Sequence, residues 1–261
     1  MGIVCNLRRM AAATGLIAAV SLTSGAALAA GDAAHVESQK WHFNGIFGTV
    51  DKASAQRGLQ VYLEVCAGCH SLKQVAYRNL ADLGFNEDEI KAIAADFDVT
   101  DGPNDEGEMF ERSARASDKF VSPFPNEEAA KASNNGANPP DLSLQTKAHA
   151  GGADYINALL TGYADAPAGT EVPDGSNYNP FFRGSFIAMP APLAEDGVEY
   201  TDGTKATVAQ MSWDVVNFLQ WAAEPEMEQR KKMGFKVVLF LIIFSAILYA
   251  AKRKLWSTID H

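Results

Sequence analysis

The five residues Cys66-Ala67-Gly68-Cys69-His70 constrain this chain more than any other stretch of its sequence. They form the pattern C-x-x-C-H, which is the attachment site of c-type haem. In that role the two thiols add to the vinyl groups of the haem, and the histidine supplies an imidazole to the iron as an axial ligand. The motif therefore predicts one covalently bound haem c, held by Cys66 and Cys69, with His70 on the iron.

Two other uses of paired cysteines fit the sequence less well. A zinc site needs a second pair of Cys or His residues at short spacing, and the 3 Cys and 5 His of the chain provide none. A thioredoxin-like motif lies in a βαβ context and does not need His70. The third cysteine, Cys5, lies in a predicted export signal, so no thiol remains for a structural disulfide. The covalently bound haem is expected to stabilise the fold instead.

The N-terminus has the pattern of a secretory signal. Arg8 and Arg9 form a positive region, and a short apolar stretch follows from Met10 to Val20. Ala27-Leu28-Ala29 provides the small-x-small cleavage pattern. Residues 1–29 are therefore predicted to be removed, and export agrees with haem attachment outside the cytoplasm, in a bacterial periplasm.

A second membrane element is predicted near the C-terminus. The run from Val237 to Ala251 is uninterrupted and apolar, and with an extension back to Met233 it spans about 28 Å as a helix. Cations flank it on both sides, with Trp256 at the far end, as is typical of a spanning helix. We expect an anchor over residues 229–251 and a cytoplasmic tail over residues 252–261, in the bacterial inner membrane with a single pass.

Residues 30–228 are expected to form one haem domain in the periplasm, mainly α-helical with long loop insertions. Asp51 is predicted to cap a helix that runs into the haem motif, and Asn86 with Glu89 forms a capping box for a second helix. An amphipathic helix is predicted from about Thr207 to Ala223. The stretches 96–111 and 121–140 are rich in Gly, Asp, Pro and Asn and are predicted to be loops.

The exported part of the chain is acidic. Without Arg8 and Arg9 it has 20 Lys and Arg residues against 32 Asp and Glu residues. Such a surface repels nucleic acid and favours a basic protein partner. Within the loop 96–111, we expect a docking surface for a basic cytochrome, or else an ordinary solvated loop, formed by the carboxylates of Asp101, Asp105, Glu106 and Glu108.

The sixth position of the iron has one favoured ligand. Met189 lies between Ala188 and Pro190, on a segment that two prolines stiffen. A thioether ligand raises the haem potential and closes the site to added ligands. Ordinary packing of Met189 stays open on this reasoning, and the rival ligands are His35, His42 and His149.

Many short segments, in one order along the chain, resemble the cytochrome c1 family, the membrane-anchored c-haem subunits of cytochrome bc1 complexes. They are residues 57–62, 75–78, 101–104, 107–110, 134–136, 139–143, 160–163, 179–181, 187–189 and 218–225. The resemblance covers nearly the whole exported chain. It implies a class I cytochrome c core, in which Gly58 lets Phe218 approach the first helix, and it implies that Met189 is the sixth ligand.

The resemblance also implies the surroundings of the haem. The family usually places an arginine soon after the segment 139–143 to meet a haem propionate, whereas this chain has Lys147 and His149 there. We expect the haem to be surrounded by Pro140, Tyr155, Lys147 and His149.

By resemblance, the chain is an electron-transfer subunit of quinol–cytochrome c oxidoreductase and not an enzyme by itself. It is expected to take electrons from the Rieske iron–sulfur protein, to pass them to a soluble basic cytochrome c, and to lie beside cytochrome b in the membrane. Two alternatives are a free-standing membrane-anchored cytochrome shuttle and a haem enzyme such as a peroxidase. The second would need an open iron site, against which Met189 argues.

Overall fold

The computed structural model describes residues 33–257. The predicted signal, residues 1–29, lies outside this range, as do residues 258–261 of the predicted tail.

The described chain is mainly helical, as predicted. A π-helical turn, Tyr62–Cys66, continues the first helix, and a short 3-10 helix covers Tyr77–Leu83. The α-helices are α1 Lys52–Val61, α2 Glu87–Ala95, α3 Glu127–Ser133, α4 Gln145–Ala148, α5 Gly152–Thr161, α6 Val208–Ala223 and α7 Met227–Trp256. Two antiparallel ribbons of two strands complete the fold: β1 Asp98–Asp101 with β2 Phe110–Ser113, and β3 Asn177–Tyr178 with β4 Phe186–Ile187.

Local side-chain chemistry sets the starts of three helices. The Asp51 carboxylate accepts a hydrogen bond from the Ser54 amide at 3.1 Å and caps α1. Asn86 and Glu89 form the reciprocal capping box of α2, and Thr207 caps α6 through the Gln210 amide. Each cap satisfies amide groups that have no partner within the helix, and the three predicted helix starts are confirmed.

Helices α1 and α6 cross at Gly58. A Cβ atom at that position would overlap the backbone carbonyl of Asp214 and come within 2.8 Å of the Phe218 Cβ. Phe218 is fully buried, and its ring centroid lies 5.7 Å from that of Tyr62. Only glycine permits so close an approach of the two backbones, which holds the haem motif at the end of α1 against α6.

A buried ion pair lies beside this crossing. The Arg57 guanidinium donates to both carboxylate oxygens of Asp214, at 2.9 and 3.0 Å. Ser54 and Gln210 donate to the same carboxylate, at 2.6 and 3.0 Å, and a further Arg57 nitrogen donates to Asp202 at 2.9 Å. Asp214 is fully buried, yet four donors satisfy it, as a buried charge requires.

Both stretches predicted to be loops contain regular structure, so that prediction was wrong. Residues 98–113 form the β1–β2 hairpin, in which Asp101 pairs with Phe110. Arg112 stabilises it by donating to Asp101 and, at 2.6 Å, to Asp118. Within 121–140, the Asn126 side chain accepts from the Ala129 amide and starts α3. Polar side-chain bonds of this kind leave no hydrophobic period in a sequence.

Helix α7 is the one helix of the described chain that is long and apolar enough to cross a membrane. It begins at Met227, which is buried in the body, and its side chains from Val237 onward are exposed. The helix therefore extends beyond the predicted anchor, residues 229–251, in both directions. The boundary at residue 228 stays a prediction.

Candidate haem site

An apolar cavity of about 500 Å³ opens beside the haem motif. This volume falls within the range of cofactor sites, about 300–1,000 Å³. Its walls are aliphatic and aromatic and include Leu142, Ile156, Leu159, Leu160, Phe182, Ile187, Val215 and Leu219. Such a lining suits a flat apolar macrocycle and excludes water from it.

The structure places six of the predicted site residues on this one cavity. They come from the turn that follows α1, the loop before α4, the α4–α5 region and the loop after β4. They are Cys66, His70, Pro140, His149, Tyr155 and Met189. Sequence positions more than 100 residues apart thus share one surface, which local pattern could not establish.

The haem motif folds as a compact turn. The His70 and Cys69 amides both donate to the Cys66 carbonyl, at 2.9 and 3.1 Å. Cys66 and His70 therefore line the cavity, whereas Cys69 lines an adjoining pocket of about 260 Å³. Asn138 and Pro139 lie between the two pockets and border both. Of the two thiols of the motif, the structure therefore places Cys66 on the cavity and Cys69 on the neighbouring pocket.

The His70 ring is set by a backbone contact. Its Nδ1 lies 2.8 Å from the Pro140 carbonyl oxygen. A carbonyl can only accept, so Nδ1 carries the proton and Nε2 keeps the lone pair that binds a metal. Burial lowers the pKa of His70, and the bond to Pro140 opposes this only in part. The imidazole is therefore neutral, as an iron ligand must be.

Asp141 fastens the Pro140 segment to the haem motif, a role that the sequence did not indicate. Its carboxylate accepts from the Ser71 hydroxyl and the Lys73 amide, both at 2.8 Å, and from the Ser143 amide at 2.9 Å. Burial would raise the pKa of Asp141, but these hydrogen bonds outweigh it and the pKa is lowered. The acceptor for His70 is held in place through an ionised carboxylate.

A second pair of residues missed by sequence reasoning holds the Met189 loop. The Tyr163 hydroxyl and the side-chain nitrogen Nδ2 of Asn177 both donate to the Met189 carbonyl, at 3.1 and 3.3 Å. Asn177 belongs to β3, which pairs with β4 immediately before the loop. Met189 is therefore fixed from two sides, and the stiffness expected from its prolines is reinforced by bonds that no local motif signals.

The rival ligands do not share the cavity, apart from His149. His35 and His42 are exposed elsewhere on the body, and His42 lies 3.6 Å from Asp51. Of the methionines in the described range, Met211 is fully buried in the core and Met109 is exposed in the hairpin loop. Among these described residues, Met189 is the methionine on the cavity wall.

The expected haem surroundings need one correction. The rings of His149 and Tyr155 lie side by side on the cavity wall, with centroids 4.4 Å apart. Lys147 does not line the cavity, because its ammonium group donates to Glu224 at 2.8 Å. Glu224 is 77 positions away in the sequence, so this partner could not be anticipated from the neighbourhood of Lys147.

The four acidic residues predicted to dock a partner also separate into two kinds. Asp105, Glu106 and Glu108 lie at the exposed tip of the hairpin, where the Asn104 side chain accepts from the Glu106 and Glu108 amides. Asp101 instead binds Arg112, which lowers the pKa of Asp101. Its charge is neutralised within the hairpin, so the accessible negative surface is the tip.

The Cys66 thiol is poorly suited to redox chemistry of its own. Burial, with a smaller effect of Cys69, raises the pKa of the free Cys66 thiol to about 12. A reactive cysteine needs a lowered pKa. A helical body that brings Cys66, the oriented His70 imidazole and Met189 of a fixed loop to one apolar cavity has the site of a c-type cytochrome.

Comparison with known proteins agrees with this class. The model of the Cytochrome C1 family matches residues 41–259. "Cytochrome c1-2, heme protein, mitochondrial" of Solanum tuberosum is 54% identical over 224 residues, covering 85% of each chain. "Cytochrome c1" of Rhodospirillum rubrum is 45% identical over 271 residues, covering 98% of each chain.

A third relative is named for the assembly it belongs to. The "Cytochrome b-c1 complex catalytic subunit, mitochondrial" of Candida albicans is 48% identical over 242 residues, covering 92% of this chain and 84% of that protein. With a family match over most of its length, this chain belongs to the cytochrome c1 family.

Proposed function

We propose that this chain is the electron-transfer subunit of quinol–cytochrome c oxidoreductase, the cytochrome bc1 complex. It takes electrons from the Rieske iron–sulfur protein and passes them to a soluble cytochrome c. The observation that carries the proposal is the placement of Cys66, His70 and Met189 on one apolar cavity.

In this proposal, Cys66 and Cys69 hold one haem c covalently, and His70 and Met189 are its axial ligands. When bound, the haem supplies a one-electron couple between ferric and ferrous iron. His70 and Met189 would both bind the iron, which would keep substrates from the metal, and the soft Met189 thioether would favour the reduced state. Pro140, Tyr163 and Asn177 hold the two ligands in place, which keeps the site's rearrangement small as the charge changes.

Docking of the acceptor is assigned to the tip of the β1–β2 hairpin. Asp105, Glu106 and Glu108 project there without a cationic partner recorded among the described residues. Negative charge at an exposed tip speeds the encounter with a basic cytochrome c and does not require tight binding. A free-standing loop of merely solvated carboxylates is the competing interpretation, and the rate measurement described in the Discussion separates the two.

We further propose that the haem domain lies in the periplasm of a bacterium and that α7 anchors it in the inner membrane. The signal-like residues 1–29 support export, and residues 252–261 then face the cytoplasm. Cytochrome b is the expected lateral neighbour of α7, because helices within a membrane associate through close packing.

The test is extraction of membranes with a mild detergent, followed by purification through a tag on this chain. We expect cytochrome b and an iron–sulfur protein to co-purify, with antimycin-sensitive quinol–cytochrome c reductase activity. Isolation as a lone haem protein, from membranes that contain an intact bc1 complex without it, would favour the free-standing shuttle.

A second measurement tests the closed iron site. The reduced protein should give no change in its spectrum on addition of carbon monoxide, because His70 and Met189 occupy both axial positions. A carbon monoxide complex at full occupancy would indicate an open site, as in a haem enzyme such as a peroxidase.

A further inference from the structure

The segment Asn44–Gly48, called the apolar turn below, presents two large hydrophobic side chains outward. Ile46 is 70% exposed and Phe47 is 79% exposed, which is the largest value among the exposed hydrophobic residues of the described chain. Single exposed hydrophobic residues are common. Two adjacent ones at the tip of a rigid turn indicate contact with another apolar surface.

The apolar turn is held firmly by its flanks. Trp41 and Phe43, just before it, are buried with their rings stacked 5.3 Å apart. Trp41 also stacks on Trp213 at 4.0 Å. The Thr49 amide donates to the His42 carbonyl at 3.0 Å and closes the turn. Alternate residues therefore point into the core, and Ile46 and Phe47 are left facing out in a fixed position.

The turn contains a glycine for a specific reason. A Cβ atom at Gly48 would overlap the backbone carbonyls of Asn44 and Phe43. The chain thus reverses as tightly as the backbone allows. A reversal of this kind projects Ile46 and Phe47 from the surface.

Helix α7 contacts the apolar turn directly. The Lys231 ammonium donates to the carbonyls of Phe43 and Gly48, at 2.6 and 3.0 Å. The Glu228 carboxylate accepts from the Val50 amide at 3.1 Å. The Phe47 ring centroid lies 6.0 Å from that of Phe235. The height of the turn along α7 is therefore fixed at the level of Phe235.

That level coincides with the edge of a bilayer. Phe235 and Lys252, the first cation after the apolar run of α7, are 17 residues apart in one helix, a distance of about 26 Å at 1.5 Å per residue. The hydrocarbon core of a bilayer is about 30 Å thick. At the far end, Lys252 lies over the Trp256 ring, 4.6 Å from its centroid, as expected of interfacial anchors. With Lys252 at one boundary of this core, Phe235 and Phe47 lie near the other.

The groove beside the turn has the chemistry of the lipid headgroup region. It measures about 240 Å³, and Phe47 and Phe235 share its lining with Lys236 and with Lys232, which pairs with Glu228 at 3.5 Å. Lysines at the membrane edge extend their ammonium groups toward phosphates while their stems lie against apolar groups.

We propose that the apolar turn inserts into the outer boundary of the bilayer and forms a second membrane contact of this chain, in addition to α7. Ile46 and Phe47 lie among the upper acyl chains, and Lys236 faces the phosphates. A single spanning helix leaves the body free to swivel over the membrane. Contact at a second point fixes the orientation of the haem cavity and of the hairpin tip relative to the membrane plane. The inference requires α7 to span the bilayer but does not depend on which proteins exchange electrons with the chain.

The experiment uses the full-length holoprotein with a nitroxide label at position 47. Cys66 and Cys69 are bound to haem in this account, and Cys5 lies in the removed signal, so an introduced cysteine is the single free thiol. The variants are Phe47→Cys, Ile46→Cys as a second site in the turn, and Val172→Cys as a control on an exposed loop. Each is placed in vesicles of phosphatidylcholine and phosphatidylglycerol. Collisions of the label are then measured with oxygen, which concentrates in the bilayer, and with a neutral nickel chelate, which stays in water.

We expect the ratio of oxygen to nickel accessibility to be above one at positions 46 and 47 and below one at position 172. A ratio below one at both turn positions would place the turn in water and overturn the proposal. The measurement is repeated in the purified assembly that contains this chain, returned to the same lipids. Protection of position 47 from both reagents there would show that a protein surface, and not lipid, covers the turn, which also overturns the proposal.

Discussion

Two arginines of this molecule, Arg57 and Arg112, each lie between two aspartates, and the two sites differ mainly in burial. Arg57 joins α1 to α6 through Asp214, which has no exposed side-chain surface. Arg112 of β2 binds Asp101 of β1, which is 42% exposed. It also joins the hairpin to the following loop through Asp118, which is 21% exposed. The same bidentate chemistry therefore serves the crossing of the two core helices in one case and the shape of a surface loop in the other.

This difference in burial indicates how much each aspartate should contribute to the free energy of unfolding. Removal of one partner from a buried pair leaves an uncompensated charge in a medium that solvates it poorly. Removal of one partner from an exposed pair leaves a charge that water solvates well. The crossing at Gly58 should depend on Asp214, whereas the hairpin should tolerate the loss of Arg112.

The largest effect is expected from Asp214→Asn. The variant keeps the shape of the side chain but leaves the Arg57 guanidinium without its buried counter-charge. We expect the free energy of unfolding to fall by about 3–5 kcal/mol, and Tm to fall by about 6–20 °C. Calorimetry of the solubilised holoprotein measures this directly.

Asp202→Asn is the matched control, because Asp202 accepts from the same guanidinium at 2.9 Å but is largely exposed. Its Tm should change far less than that of Asp214→Asn. If Asp214→Asn and Asp202→Asn lowered Tm equally, burial would not determine how much each ion pair stabilises the fold. That result would contradict the comparison made above.

A smaller effect is expected from Arg112→Gln. This change removes the donors to Asp101 and Asp118 while the backbone pairing of β1 with β2 remains. We expect Tm to fall by less than about 4 °C and amide exchange to accelerate in residues 98–113 alone. Faster exchange throughout α1 and α6 would show that the hairpin supports the core, contrary to this account.

The hairpin should also respond to acid. Hydrogen bonds from Arg112 lower the pKa of Asp118 to about 2, against about 3.9 for an unfolded aspartate. A lowered folded-state pKa gives stability that is present above the unfolded value and is lost as the pH falls through the folded one. Order in the hairpin should therefore decline between about pH 4 and pH 2, as followed by NMR of residues 98–118. Arg112→Gln should bring the pKa of Asp118 back toward its unfolded value, so the acid-dependent decline should become smaller. A decline of unchanged size would argue against the ion pair.

The smallest effect on stability is expected from Asp105→Asn, Glu106→Gln and Glu108→Gln combined. These tip carboxylates make no cationic contact recorded in the described chain, so Tm should stay unchanged. Reduction of a basic cytochrome c should nevertheless slow by about tenfold or more at low ionic strength. Rates of variant and parent should converge at about 1 M salt, where the screening length is about 3 Å. Equal rates at low salt would make the tip an ordinary solvated loop.

Local chemistry explains which parts of this molecule could be predicted. Asp51, Asn86 and Thr207 cap helices through bonds that span three residues, so their neighbours in the sequence were enough. The haem motif is likewise five residues long. Met189 was singled out from its Pro-flanked position and from the family resemblance, and the structure places it on the cavity.

What could not be predicted depends on distant polar partners. The hairpin rests on Arg112 and its aspartates, and neither strand alternates polar and apolar residues clearly enough to indicate a sheet. Lys147 was expected beside the haem but binds Glu224, which belongs to the end of α6. Tyr163 and Asn177 hold the Met189 carbonyl, and nothing in their own surroundings indicates that role.

The central claim is that His70 and Met189 would both bind the iron of a covalently attached haem, and Met189→Leu tests it most directly. The variant keeps Cys66, Cys69 and the apolar volume of the side chain, but it removes the sulfur. We expect haem to remain attached, the near-infrared band of the methionine–iron bond to disappear, and the midpoint potential to fall strongly, because water or a stronger donor replaces a soft thioether. An unchanged near-infrared band together with an unchanged potential would contradict the account and remove Met189 from the iron.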